Sequence, residues 1–205
     1  MDGEAPPIDV RAVRIDDAPA LHKLDYSFET DRIYTLRVQG SLAQGDTNSS
    51  VPGQPALSFE LLETPVDPPV YKSLREFGSS LAQLKAKLRC VEGGYIALAG
   101  GQVAGVILLN VEEERSVARI EHIIVGRQFR RYGIGSLLLS CASDWARKHA
   151  CWAILLEIQN SNYPAIQFYL RNGLEVWSIN NHFYPPGLDE HEVAIFMGKK
   201  LWPAL

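Results

Sequence analysis

The residues with the clearest chemical content lie between Ile120 and Leu139. An apolar strand pattern ends at Val125, a basic turn carrying Arg127, Arg130 and Arg131 follows, and Gly133-Ile-Gly135 opens an amphipathic helix pattern. Glycines at a helix start leave several backbone N–H groups unpaired and aimed outward, with the helix dipole behind them, which makes an anion site. We read the loop as a pyrophosphate holder. Two familiar phosphate loops do not fit it. A nucleotide P-loop needs a Gly-Lys-Ser/Thr ending, which is absent. A dinucleotide fingerprint needs its first glycine directly after the strand, whereas residues 126–132 intervene and Leu138 occupies the third glycine position. The plain alternative is a helix start that merely uses glycine. The Arg-x-x-Gly-x-Gly spacing of Arg130 to Gly135, between a strand and an amphipathic helix, argues against it.

The elements that must position this loop are legible around it. Tyr95–Ala99, Gln102–Val111 and Ser116–Val125 read as three strands joined by Gly100-Gly101 and by the charged turn 112–115, an antiparallel meander. Gly133–His149 reads as a helix with Ile134, Leu137, Leu138, Cys141 and Trp145 on one face. The nearly continuous apolar run Trp152–Ile158 suits a strand covered on both sides and parallel to its neighbour, giving a βαβ unit. Asn162 suits an N-cap for a helix through Arg171, which Asn172-Gly173 ends, and Leu174–Ile179 and His191–Leu201 close the chain as strands. Upstream, Ile8–Ile15, Asp31–Gln39 and Leu57–Glu63 read as strands, and Ala18–Leu24 as a short helix. Gly40–Pro55 reads as an exposed loop or hairpin tip, Pro65–Pro69 as a break, and Val70–Leu88 as an amphipathic helix.

Composition bounds the rest. At 205 residues, 46% hydrophobic and 21% charged, the chain can bury one good core. A net charge of −4 argues against nucleic-acid binding by broad phosphate neutralisation. No apolar run approaches the ~18 residues of a membrane span, and the acidic N-terminus lacks a secretory pattern, so no membrane partner and a cytoplasmic location are expected. Cys90, Cys141 and Cys151 read as small core residues, not a disulfide framework. The five histidines show no metal-ligand spacing.

With these elements in order, the sequence resembles the acetyl-coenzyme-A-dependent N-acetyltransferases of the GNAT superfamily. The first family element, Gln/Arg-x-x-Gly-x-Gly/Ala after a strand, is matched by Arg130-Arg-Tyr-Gly133-Ile-Gly135. The second, Asn-x-x-Ala-x-x-Phe-Tyr-x-x-x-Gly-Phe, stands as Asn162 to Leu174 and departs only at Leu174. The match covers Gly93 to the C-terminus well and the first 90 residues loosely. Leu156–Gln159, Phe183-Tyr184 and Glu192–Phe196 are similar to streptothricin acetyltransferases, which acetylate an amine of an aminoglycoside-like antibiotic, although Met197–Lys200 departs from them. The resemblance implies a single GNAT-type α/β (α+β) domain over 1–205. It would hold a divergent part in 1–90 and the acetyl-coenzyme A core in 90–201, with a mixed, mostly antiparallel sheet and helices on both faces.

The resemblance also implies roles. Ile123, Ile124 and Val125 offer backbone to the pantetheine arm and acetyl group if the sheet opens between their strand and the strand at Trp152. The stretch Arg130, Arg131, Tyr132, Gly133, Ile134, Gly135 and Ser136 cradles the pyrophosphate. Asn162 bonds the cofactor's amide chain or serves only as an N-cap. Tyr169 donates a proton to the leaving thiolate, which suits a phenol, or is a core tyrosine beside Phe168. Glu121 is the candidate general base with His122 as rival, and strand alternation predicts that only one of the two faces the cleft. Tyr184 and Trp177 are candidate walls of an acceptor pocket. The expected reaction is direct acetyl transfer to a primary amine of a small molecule by a monomer or homodimer. The rival readings are a protein N-terminal or lysine acetyltransferase and a non-catalytic acyl-coenzyme A sensor.

Overall fold

The apolar runs in the middle of the chain pair with their sequence neighbours, as short turns dictate. In the computed structural model, which describes residues 6–40, 57–73, 80–185 and 192–202, β4 (Gly93–Ala99), β5 (Gln102–Glu112) and β6 (Val117–Val125) form the expected meander. β1 (Ile8–Ala12) adds to β4, and β7 (Ala153–Gln159), β9 (Ala194–Lys200) and β8 (Glu175–Asn180) complete a seven-stranded sheet of order β1-β4-β5-β6-β7-β9-β8. All neighbours are antiparallel except β6 and β7, joined through α3 (Ile134–Lys148). Their parallel pairing covers only Val117↔Ala153, Ala118↔Ile154 and Arg119↔Leu155. Beyond Arg119 the strands part, so the sheet splits from its middle outward.

Helices cover both faces. α3 and α4 (Tyr163–Arg171) bury Ile134, Leu138, Ala142, Trp145, Ile166 and Tyr169 against Ile107, Leu109, Ile120, Ile154 and Leu156. On the other face α1 (Ala18–His22) and α2 (Leu81–Cys90) bury Leu21, Leu84 and Leu88 against Ile96, Val106, Leu108 and Ile124. The expected face of α3 shifts slightly, since Leu137 is exposed while Leu139 and Ala142 are buried. Cys90 is exposed rather than in the core; Cys151 is buried, and all three thiols are free.

The N-terminal third departs most from expectation. β2 (Phe28–Gly40) and β3 (Leu57–Lys72) make a separate two-stranded hairpin, so Pro65–Pro69 lies inside a strand and Val70–Lys72 is not helical. The pairing jumps from Thr30↔Val70 to Arg32↔Pro65, leaving 66–69 bulged opposite Asp31. A strand with one unpaired edge tolerates proline at such a bulge because no ladder hydrogen bond is lost. Of the helix expected over Val70–Leu88, 74–79 lies outside the described residues; the described helix α2 runs from Leu81, where the Ser80 hydroxyl accepts from the Gln83 N–H at 3.2 Å. The loop read at Gly40–Pro55 lies, beyond Gly40, outside the described residues, as does the part of the 180–190 loop from 186 onward.

Candidate active site

A long cleft begins where β6 and β7 part. Its lining runs from the phosphate loop, Arg130, Arg131, Gly133, Ile134, Gly135 and Ser136, along Ile123, Ile124 and Val125. It continues past Asn162 and Tyr169 to Glu121, His122, Glu157 and Tyr184. The expected opening of the sheet beside β6 is therefore present, and among the described residues no strand pairs with its residues 120–125 on the β7 side.

The loop is built for an anion. Gly133, with φ of 78°, occupies the N-cap of α3, and no side chain caps that end. The N–H groups of the first turn stay open to a ligand. A Cβ at Gly133 would meet nothing within 4 Å, whereas one at Gly135 would lie 2.8 Å from the Phe168 ring. The first glycine thus supplies backbone conformation and the second lets α4 close against α3. Arg131 holds a left-handed φ of 71°, a strained state for a non-glycine residue that clusters at binding loops. Arg130 is committed elsewhere. Its Nε donates to the Val125 carbonyl and its Nη2 to the Tyr26 carbonyl, both at 3.2 Å. It ties the loop to the segment that leads into β2. Tyr132 is 47% exposed and does not line the cleft.

The open helix end, the parted strands and the cationic loop fit a coenzyme A diphosphate with its pantetheine arm running toward Tyr169. Tyr169 is buried, and no hydrogen bond to another described residue ties its hydroxyl. Burial first, and the Glu157 charge second, hold that phenol well above its ordinary pKa, so it stays protonated. Asn162 is also buried. Its Oδ1 accepts from the Ala165 N–H at 3.4 Å, so the N-cap use is present and the residue lines the cleft as well.

Glu121 and His122 both line the cleft, contrary to the strand alternation expected for them. Leu108 pairs with His122 and Leu109 with Ile120, so Glu121 is an extra residue with no partner on β5. This bulge flips the alternation. Ile120 consequently packs under α3 and α4 while Ile124 packs under α1 and α2. Glu121 lies 3.6 Å from Arg119 Nε and accepts from Asn110 Nδ2 at 3.3 Å. The His122 Nε2 sits 3.5 Å from the Lys87 ammonium; burial, aided by that charge, pushes its pKa down to about 4. A neutral imidazole of such low basicity is a poor acceptor for an ammonium proton.

Glu157 escaped the sequence reading, although a lone carboxylate in the apolar run Trp152–Ile158 was the signal for it. It lines the cleft, accepts a hydrogen bond from the Tyr184 hydroxyl, and burial raises its pKa against the opposing effects of Tyr184 and Arg119. The base of the hairpin puts Phe28, Glu29, Asp31 and Tyr71 in the lining of the same cleft, and Glu192, which pairs with Lys72, lines it too. Nothing in the sequence placed Phe28–Asp31 there, because the hairpin reaches the cleft only through tertiary docking. Trp177 does not belong to the pocket. It stacks on Trp152 at 5.6 Å between ring centroids and lies over Gly198, away from the cleft.

Three comparisons bear on this geometry. The family model described as "Acetyltransferase (GNAT) family" matches residues 60–174. A streptothricin acetyltransferase of Streptomyces lavendulae is 29% identical over 189 residues, 91% of this chain and 92% of that protein. Among solved structures, a nourseothricin acetyltransferase superposes with a TM-score of 0.73 at 27% identity, covering 95% of this chain and 98% of its own. A protein of Bacillus anthracis described as a streptothricin acetyltransferase, solved in complex with acetyl coenzyme A, superposes with a TM-score of 0.72 at 26% identity and the same coverage.

Proposed function

The chain belongs to the GNAT acetyltransferase family and is an acetyl-coenzyme-A-dependent acetyltransferase; from that premise we propose that its acceptor is a small molecule bearing a primary amine and further positive charge, in the manner of an amine-bearing antibiotic. The observation that carries this reading is the number of carboxylates in the lining of the cleft, Glu29, Asp31, Glu121, Glu157 and Glu192. Carboxylates lining a cleft raise the local concentration of a cation there. The names of the similar proteins, streptothricin and nourseothricin acetyltransferases, agree with a cationic acceptor.

Bound acetyl-coenzyme A supplies an acetyl thioester. Glu157, whose ionised form burial disfavours, gains from a cation beside it and holds the incoming ammonium. Glu121 takes the proton that the amine must lose before it attacks. Tyr169, carried on α4, gives its proton to the sulfur as the C–S bond breaks. The backbone of Ile123 to Val125 aligns the pantetheine arm, and the open N–H groups of Ile134 to Ser136 hold the diphosphate.

Thiol release measured across monoamines, polyamines, aminoglycosides and peptides tests the acceptor. Turnover is expected with polycationic small molecules. A preference for peptide N-termini or lysines would replace this acceptor, and tight acetyl-coenzyme A binding without turnover would replace the catalytic reading with a sensor. Glu121→Gln is expected to abolish the high-rate limb of the pH profile; a wild-type profile would move the base to Glu157.

A further inference from the structure

The carboxylates in the cleft lining differ in what already holds them. Glu157 and Gln159 stand two residues apart on β7, whose pairing with β9 runs without a bulge, so both project from one side of the strand, about 7 Å apart along it. At the first position the Glu157 carboxylate accepts from the Tyr184 hydroxyl. At the second, the Gln159 Nε2 donates at 2.9 Å to Oε2 of Glu192, and the buried Ser161 hydroxyl donates at 3.1 Å to its Oε1. The Glu192 side chain is 9% exposed, and its Oε1 also pairs with the ammonium of Lys72, the last residue of β3. Lys72 and Glu192 both line the cleft.

These contacts describe a built cation site. Gln159 and Ser161 fix the orientation of the Glu192 carboxylate, and among its partners is a primary ammonium, the same group that the proposed acceptor carries. That ammonium comes from this chain itself, one step along β7 from the carboxylate that holds the acceptor. We propose that Lys72 is a specificity-determining residue: its ammonium occupies the cation site that Glu192, oriented by Gln159 and Ser161, would otherwise offer, so that an acceptor places an ammonium at Glu157 and none at Glu192. The further charge of a polycationic acceptor then falls to Glu29, Asp31 and Glu121. The inference deepens the proposed function and rests on its amine acceptor.

Equilibrium binding of putrescine and butylamine to the coenzyme A complex, measured by calorimetry, tests it, because the two share a four-carbon chain and differ in the second ammonium. The ratio of putrescine to butylamine affinity is expected to rise about 10-fold in Lys72→Gln, which gives up the charge and keeps an amide donor. In the double variant Lys72→Gln with Glu192→Gln that gain should vanish. Lys72→Arg, which keeps the charge, should keep the wild-type ratio. If loss of the pair weakens the fold, the same preference is read as rescue, with putrescine raising the melting temperature of Lys72→Gln more than butylamine does. An unchanged ratio in Lys72→Gln, no binding of putrescine to it, or a gain that survives in the double variant would overturn the assignment. The proposed function fails separately, on turnover by the wild type: an enzyme that acetylates peptides alone removes the small-amine acceptor whatever the calorimetric ratio.

Discussion

At the scale of single residues, the cleft separates groups by the charge state that each environment permits. His122 is kept neutral because burial disfavours its imidazolium and the Lys87 ammonium repels it. In the unfolded chain the same imidazole takes a proton below about pH 6.5. Folding stability is therefore present above that pH and declines as pH falls toward about 4, where the folded group finally titrates. The loss is on the order of 2 kcal/mol once its half-buried position is allowed for. Urea denaturation at pH 7 and pH 5 measures it: the wild type loses stability between the two, and His122→Gln loses less. Tyr169 shows the converse use of burial. A phenol kept protonated is a donor at every working pH, so Tyr169→Phe should lower kcat about 100-fold while coenzyme A affinity stays within about twofold. An unchanged kcat would leave Tyr169 as a packing residue only.

Among the elements, the β2–β3 hairpin brings Phe28, Glu29 and Asp31 to the cleft, and Asn160 is one of its fastenings. The Asn160 Nδ2 donates to the Tyr34 carbonyl at 2.7 Å, and its Oδ1 accepts from the Val193 N–H at 2.8 Å. Its own backbone pairs with the same two residues, so one buried side chain joins the hairpin, β7 and the start of β9. Gln167 on α4 adds a bond to the Tyr34 hydroxyl at 2.8 Å, and the Tyr34 and Tyr163 rings meet at 5.4 Å. Asn160→Ala would take a partner from the part-buried Tyr34 carbonyl and the buried Val193 N–H, costing about 2 kcal/mol. Because the hairpin base carries Phe28, Glu29 and Asp31 into the cleft, the variant should also raise the acceptor KM several-fold, with the coenzyme A dissociation constant unchanged. Steady-state kinetics at saturating acetyl-coenzyme A would separate this from a general loss of folded enzyme. The β6 bulge at Glu121 works at the same scale, turning two sequence neighbours into two cleft residues.

Across the whole molecule, a net charge of −4 conceals a cleft whose lining carries both signs, arginines of the phosphate loop and carboxylates such as Glu29, Asp31, Glu121 and Glu157. Screening by salt should therefore reduce kcat/KM more steeply for a polyamine than for a monoamine at saturating acetyl-coenzyme A. Equal slopes would deny the cleft carboxylates their steering part. What the sequence by itself determined is the cofactor half. The strand ending at Val125, Gly133-Ile-Gly135, the α3 pattern and Asn162 to Gly173 are local features, set by helix starts, caps and periodicity within a few residues, and they reappear in place. The meander and the βαβ unit followed because their connections are short. What only the tertiary structure decided is the acceptor half. Pro65–Pro69 reads locally as a break, yet a bulged strand with one free edge accommodates it. Glu157 became a site residue only where β7 leaves β6. Trp177 left the pocket because β8 lies at the sheet edge. These assignments depend on which distant segments meet, and the docking of Tyr34 on Asn160, 126 residues away, is not encoded in any neighbouring pattern.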